Sequence, residues 1–139
     1  MQIQRLKDQL KIHEGVVLKP YKCSANKLSL GIGRNIEDNG ISMEEAESML
    51  ANDIDDCIVD LKRNIGFFND LPETIQEVMV NLCFNIGINK LLNFKKTIGL
   101  LRDGEYLEAA DEILDSKWSK QVGQRSHDLA DMIRSCVQE

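Results

Sequence analysis

A capping box followed by about six turns of amphipathic helix is the strongest constraint in this sequence. In Ser42-Met43-Glu44-Glu45 a hydroxyl and a carboxylate stand three residues apart, each able to satisfy the other's orphan backbone donor. Ala46, Met49, Leu50, Ile54, Cys57, Ile58 and Leu61 then share one stripe. A helix over about residues 42–64 is long enough to connect two lobes rather than sit inside one. Its other face carries Glu44, Glu47, Asp53, Asp56 and Asp60 and reads as a solvated surface.

The flanking segments differ in kind. Ile3, Leu6 and Leu10 recur at helical spacing and predict a first helix ending near Glu14-Gly15. Pro20 then blocks helix, and Leu28, Leu30 and Ile32 alternate with Ser29, Gly31 and Gly33 as a short strand does. Asn26-Lys27 reads as the turn of a hairpin and Asp38-Asn39-Gly40 as the exit turn. After Pro72, Val78, Met79, Leu82, Cys83 and Ile86 leave little polar surface, which predicts a central buried helix stopped by Gly87. Shorter helices follow over about residues 91–101, 106–114 and 126–137. A hairpin set among helices is an α+β chain.

With 139 residues, 42% hydrophobic and 29% charged, the chain fits one domain with a real core. A net charge of −6 argues against nucleic acid as the main partner. No apolar run approaches the ~20 residues of a membrane span, and the first residues lack the core of a secretory signal. Cys23, Cys57, Cys83 and Cys136 form no CxxC pair, so no metal site is expected. Cys57 and Cys83 fall in apolar helical patterns and read as core, whereas Cys23 lies in a polar loop.

Glu14 by itself reads as a solvated carboxylate at a helix end, where the dipole opposes it. Burial in a cleft would instead raise its pKa and keep it protonated as a general acid. Its neighbours supply partners. Glu14, eight residues, Cys23, five residues and Ser29 lie within the run that includes Tyr21-Lys22-Cys23 and Ser29-Leu30-Gly31-Ile32-Gly33. This segment resembles the active-site motif of the phage-type lysozymes, glycoside hydrolase family 24, in which the second position is Asp or Cys and the third Thr. The resemblance extends through 42–64, through Asn81-Leu82-Cys83-Phe84-Asn85-Ile86-Gly87, and through Glu108-Ala109-Ala110, Ser116-Lys117-Trp118 and Gly123-Gln124-Arg125. It covers roughly residues 3–137.

The resemblance implies a lysozyme-like α+β fold in a single domain. A small lobe covers about residues 14–41, the interlobe helix about 42–64, and a helical lobe about 65–137 together with helix 1. The implied activity is that of an endolysin muramidase, cleaving the β-1,4 bond between N-acetylmuramic acid and N-acetylglucosamine of peptidoglycan, with inversion and no cofactor. Glu14 would act as general acid, with Cys23 and Ser29 holding a water. A free thiol with a pKa of about 8.5 is mostly neutral at pH 7, so Cys23 is a weaker base than Asp. Ser29 keeps the hydroxyl of Thr without the methyl that restricts it.

Leu30, Gly31, Phe84, Asn85 and Thr97 would bind substrate, although Asn85 and Thr97 read equally well as satisfied polar residues. Arg125 would pair with Glu14, and Arg34 with Asp53. Trp118 reads as core, His13 as projecting from another helix face and His127 as surface. A monomer held in the host cytoplasm until a holin lesion admits it to the periplasm and cell wall is the expected setting. The alternatives are a weakly active or inactive lysozyme-like protein that binds peptidoglycan or another protein, and a helical adaptor with no glycan role.

Overall fold

A computed structural model describes residues 1–137. The chain divides into two compact units, Met1–Met49 and Leu50–Glu139. The architecture is α+β.

In the first unit, helix α1 (Ile3–Glu14) ends at Gly15, whose φ of 76° stops the helix while its N–H still donates to the Lys11 carbonyl. Strands β1 (Val17–Lys22), β2 (Leu28–Gly31) and β3 (Arg34–Asn35) form an antiparallel sheet in the order β1-β2-β3. Tyr21 faces Ser29 and Leu30 faces Arg34 across the ladders. The register slips between Val17 and Tyr21, the stretch holding Pro20, which has no N–H to give a ladder. The β1–β2 turn closes through Cys23 N–H to the Lys27 carbonyl (3.0 Å) and Asn26 N–H to the Cys23 carbonyl (2.8 Å). Asn26 takes φ +62° there, a conformation Asn tolerates better than most residues.

Two features depart from the sequence reading. The hairpin gains a third strand, and the expected exit turn at 38–40 is one turn of helix, α2 (Ile36–Asn39). Two residues of β3 are too few for alternation to show. The Asn35 side chain accepts the Asp38 N–H at 3.1 Å, and that cap turns the chain helical at once.

Helix α3 (Met43–Asn64) starts at the predicted capping box. Ser42 N–H donates to Glu45 Oε1 at 2.8 Å, and Glu45 N–H donates to Ser42 Oγ at 3.1 Å.

In the second unit a single 3-10 turn (Phe68–Asp70) leads into α4 (Glu73–Ile86), which buries Ile75, Val78, Met79, Leu82 and Cys83. Truncating one of the large aliphatic residues to Ala costs about 2–5 kcal/mol in a core of this kind. Gln76 Nε2 donates to the carbonyls of Phe68, Asn69 and Leu71 and so pins the 3-10 turn to α4. The core continues through Leu91, Leu101, Ala109, Ala110, Ile113, Trp118, Leu129, Ala130 and Ile133.

The helix expected over 91–101 is two helices, α5 (Ile88–Leu91) and α6 (Lys95–Arg102). Tight turns from Asn93 N–H to the Lys90 carbonyl and from Phe94 N–H to the Leu91 carbonyl break it. The break sets the Phe94 ring edge-on to Trp118, with centroids 6.5 Å apart at 89°. After α7 (Tyr106–Leu114) comes a helix the sequence reading missed, α8 (Lys117–Val122), capped by the Ser116 hydroxyl. The last helix, α9, runs from Gln124 to Arg134 rather than over 126–137. Gly123, at φ +63°, separates α8 from α9.

Glu45 gives this fold a readable pH dependence. Arg34 donates to its carboxylate from Nη1 (2.6 Å) and Nη2 (2.5 Å), and the Ser42 backbone and hydroxyl hydrogen bonds add to the effect. The Glu45 carboxyl is thereby lowered from 4.5 to about 2. A carboxylate depressed in the folded state stabilises above its unfolded pKa, and that contribution is lost as pH falls through the folded value. Between pH 4.5 and about 2, the melting temperature of Glu45→Gln should therefore fall less steeply than that of the wild type. Parallel acid melting curves would contradict the pairing.

Candidate active site

Three of the predicted groups lie within the first unit. Glu14 is the last residue of α1, Cys23 opens the β1–β2 turn, and Ser29 lies on β2. The Glu14 side chain is exposed, not buried as the sequence reading expected for a general acid. It packs against the glycine turn between β2 and β3. A Cβ placed on Gly33 would lie 2.5 Å from Glu14 Oε2 and 3.0 Å from Glu14 Cβ, so the acid rests directly on the Gly33 backbone.

Ser29 is 2% exposed and donates its hydroxyl proton to the Lys27 carbonyl at 3.2 Å. The donor is committed, so the oxygen is left to act as an acceptor. The same carbonyl receives the Cys23 N–H. Cys23 is half-buried, and its thiol pKa is lowered first by the Lys27 backbone N–H and then by that of Ala25. Partial burial opposes the shift. These donors stabilise a thiolate, the form able to accept a proton.

Lys27 is itself held from α2. Its ammonium lies 3.5 Å from Glu37 Oε2 and 3.2 Å from Asp38 Oδ1, while Leu28 N–H donates to Glu37 Oε1 at 3.2 Å. Exposed pairs of this kind contribute little to overall stability, but together they hold the turn that carries Cys23 and Ser29.

Arg34 does not pair with Asp53. Its partner is Glu45, eight residues earlier on α3, which is about 12 Å nearer the start of that helix. The capping box already fixes Glu45 beside β3, where Arg34 sits. Leu30, Gly31 and Arg34 line a cavity of about 560 Å³ in the first unit, with Ile36, Ile41 and Glu45 among the other walls.

The other predicted residues belong to the second unit. Arg125, expected opposite Glu14, donates within its own unit to Asn81 Oδ1 (2.9 Å) and to the Asn81 carbonyl (3.2 Å). Phe84, 45% exposed, lines a cavity of about 660 Å³ together with Asn81 and Arg125. Asn85 is exposed, but its side-chain oxygen accepts the Trp118 indole N–H at 2.7 Å, leaving its amide N–H groups available. Trp118 is buried, as expected of a core residue. Thr97 is 3% exposed and lines a third cavity, of about 640 Å³, with Trp118 and Lys117.

Glu45, Asn81 and Gly33 were missed as site residues. For Glu45 the capping box was the available signal, since a residue locked at a helix start is a fixed target for a nearby cation. Among the described residues no cluster of His, Cys, Asp or Glu could hold a metal ion, and no helix is long and apolar enough to cross a membrane.

A small antiparallel sheet carrying a hydroxyl on its central strand and a thiol in its first turn, preceded by a helix that ends in an acid and set in an otherwise helical chain, defines a lysozyme-like protein. The family model described as phage lysozyme matches residues 11–134. The chain is 26% identical over 154 residues to a probable T4-type lysozyme 2 of Dictyostelium discoideum, covering 90% of this chain and 91% of that one. It is 33% identical over 115 residues to an endolysin of Acyrthosiphon pisum secondary endosymbiont phage 1, covering 80% of this chain and 75% of the relative. The chain belongs to the phage lysozyme family. It is a glycoside hydrolase of the lysozyme type, with relatives in both a phage and an amoeba.

The thiol environments are separable by alkylation. Burial and the neighbouring Cys57 push the Cys83 thiol up to about 12, while Cys23 is lowered. Iodoacetamide should therefore modify Cys23 with a pH midpoint below the ~8.5 of a free thiol, and leave Cys83 untouched until the protein unfolds. Peptide mapping across pH reads both. A Cys23 midpoint at or above the free-thiol value would contradict the turn geometry.

Proposed function

We propose that this protein is an endolysin-type muramidase that cleaves the β-1,4 bond between N-acetylmuramic acid and N-acetylglucosamine of peptidoglycan. The observation that carries the reading is that Glu14, Cys23 and Ser29 belong to one compact unit, with the acid against the Gly33 turn and the other two sharing the Lys27 carbonyl. Membership of the phage lysozyme family supports the substrate class.

In this mechanism Glu14 gives its proton to the leaving glycosidic oxygen as the bond to the muramic acid C1 breaks. A water on the opposite face of the sugar attacks C1. Ser29 Oγ, its own proton committed to Lys27, accepts one hydrogen bond from that water and orients it. Cys23, as a thiolate held by backbone N–H groups, takes the water's other proton. Configuration at C1 inverts. Sugar bound over Glu14 displaces water from it, which supplies the desolvation that the free protein lacks. No organic cofactor or metal enters any of these steps.

Leu30 and Gly31 of β2 would contact the glycan, and Phe84 and the free amide of Asn85 would offer it an apolar face and two donors for N-acetyl or hydroxyl groups. Thr97 would need a side-chain rearrangement to reach a sugar, because it is enclosed. Arg34 acts through Glu45, fixing β3 beside α3, and Arg125 acts through Asn81. The setting proposed is a monomer that reaches the wall after a holin lesion opens the inner membrane.

A turbidity assay on outer-membrane-permeabilised bacteria tests the reading. Glu14→Gln should lower the lysis rate by about 10²–10⁴-fold, the contribution of a positioned general acid. Cys23→Asp should remain active, and Cys23→Ser should lose activity because its hydroxyl does not ionise near neutral pH. Binding of glycan without lysis by the wild type would make the protein a peptidoglycan-binding relative instead. Equal rates for Cys23→Ser and wild type at every pH would remove the thiolate from the mechanism.

A further inference from the structure

We propose that Gly33 is a positioning residue for the acid, its missing side chain being the space in which the Glu14 carboxyl sits. The inference rests on the reading of Glu14 as general acid and adds to it the group that aims the carboxyl. Several glycines of the first unit have positive φ: Gly15 (76°), Gly31 (74°), Gly33 (70°) and Gly40 (62°). For Gly15, Gly31 and Gly40 a Cβ would meet nothing within 4 Å, so those positions need glycine for backbone conformation alone.

Gly33 is different. A Cβ there would lie 2.5 Å from Glu14 Oε2, 2.9 Å from Cδ and 3.0 Å from Cβ. The last of these atoms is attached directly to the backbone of α1. Rotating the Glu14 side chain could therefore remove the first two clashes but not the third, and a side chain at residue 33 would have to move the end of α1 or the β2–β3 turn.

The contact also works in the other direction. One side of the Glu14 carboxyl is covered by the Gly33 backbone, so the acid rests against the β2–β3 turn in a space that only glycine leaves open. Gly15 ends α1 immediately after the acid, and no further helical turn crowds it. A general acid must hold its proton within hydrogen-bond reach of the leaving oxygen, and a misplacement of about 1 Å can cost about 10²-fold in rate.

The test compares Gly33→Ala with Gly40→Ala, which imposes a similar positive-φ strain in the same unit but meets no atom. Initial rates on soluble glycan oligomers below the melting temperature should show kcat about 10²-fold lower in Gly33→Ala with KM changed less than about threefold, while Gly40→Ala keeps both. The carboxyl ¹³C resonance of Glu14 should move in Gly33→Ala and stay in place in Gly40→Ala. Equal kcat in the two variants would overturn the proposal, because strain alone would then account for any loss.

A stability cycle covers the case in which Gly33→Ala does not fold. The melting-temperature loss caused by Gly33→Ala should be smaller in a Glu14→Ala background, where Oε2 and Cδ are gone. The same loss in both backgrounds, or failure to fold in both, would overturn the contact. Wild-type lysis that survives Glu14→Gln would overturn the acid role while leaving this stability coupling intact, so the two readings fail separately.

Discussion

Two donors converge on one backbone oxygen, the carbonyl of Lys27, and the arrangement of the site depends on that convergence. The Cys23 N–H closes the β1–β2 turn onto it, and the buried Ser29 hydroxyl donates to it from β2. A thiol and a hydroxyl six positions apart in sequence are thereby fixed to a common point. The Lys27 and Ala25 N–H groups of the same turn draw the Cys23 thiol towards its ionised form. Ser29, its proton spent on the carbonyl, keeps its oxygen as an acceptor. The local backbone therefore supplies the donors that a thiolate needs.

The supports around this hub are short and polar. Lys27 is gripped by Glu37 and Asp38 of α2, a single helical turn that returns the chain to the hairpin directly after β3. Arg34 of β3 is gripped by Glu45, which also completes the capping box of α3. One carboxylate thus starts a helix and anchors a strand. Each exposed pair is weak by itself, and their joint effect is geometric rather than energetic. The second unit has the opposite character. Its α4 is buried along one face, and its stability follows from packing in a dense core.

Much of this was legible from residues alone. The capping box fixed the start of α3, Gly15 and Gly87 marked two helix ends, and the apolar spacing of Val78, Met79, Leu82 and Cys83 marked the buried helix. What escaped was short or tertiary. Strand β3 has two residues and α8 six, below the length at which periodicity speaks. The break at Leu92–Phe94 sets Phe94 edge-on to Trp118, a tertiary fit that no local pattern encodes. In the site, the spacing of Glu14, Cys23 and Ser29 could be read, but partner choice could not. Arg34 takes Glu45 rather than Asp53, because the capping box fixes Glu45 beside β3, and Arg125 takes Asn81 within its own unit. Gly33 stood in plain view within the motif. Its contact with Glu14 depends on how α1 meets the sheet, and that is a property of the folded unit.

The central claim is that water, activated by the thiol and hydroxyl of one turn, attacks on the face opposite the acid. The stereochemistry of the first product tests it most directly. Proton NMR of a glycan digest, recorded before mutarotation, should show the new N-acetylmuramic acid reducing end appearing first as the α anomer. A β anomer appearing first would mean retention, and would contradict direct attack by a water held at Cys23 and Ser29.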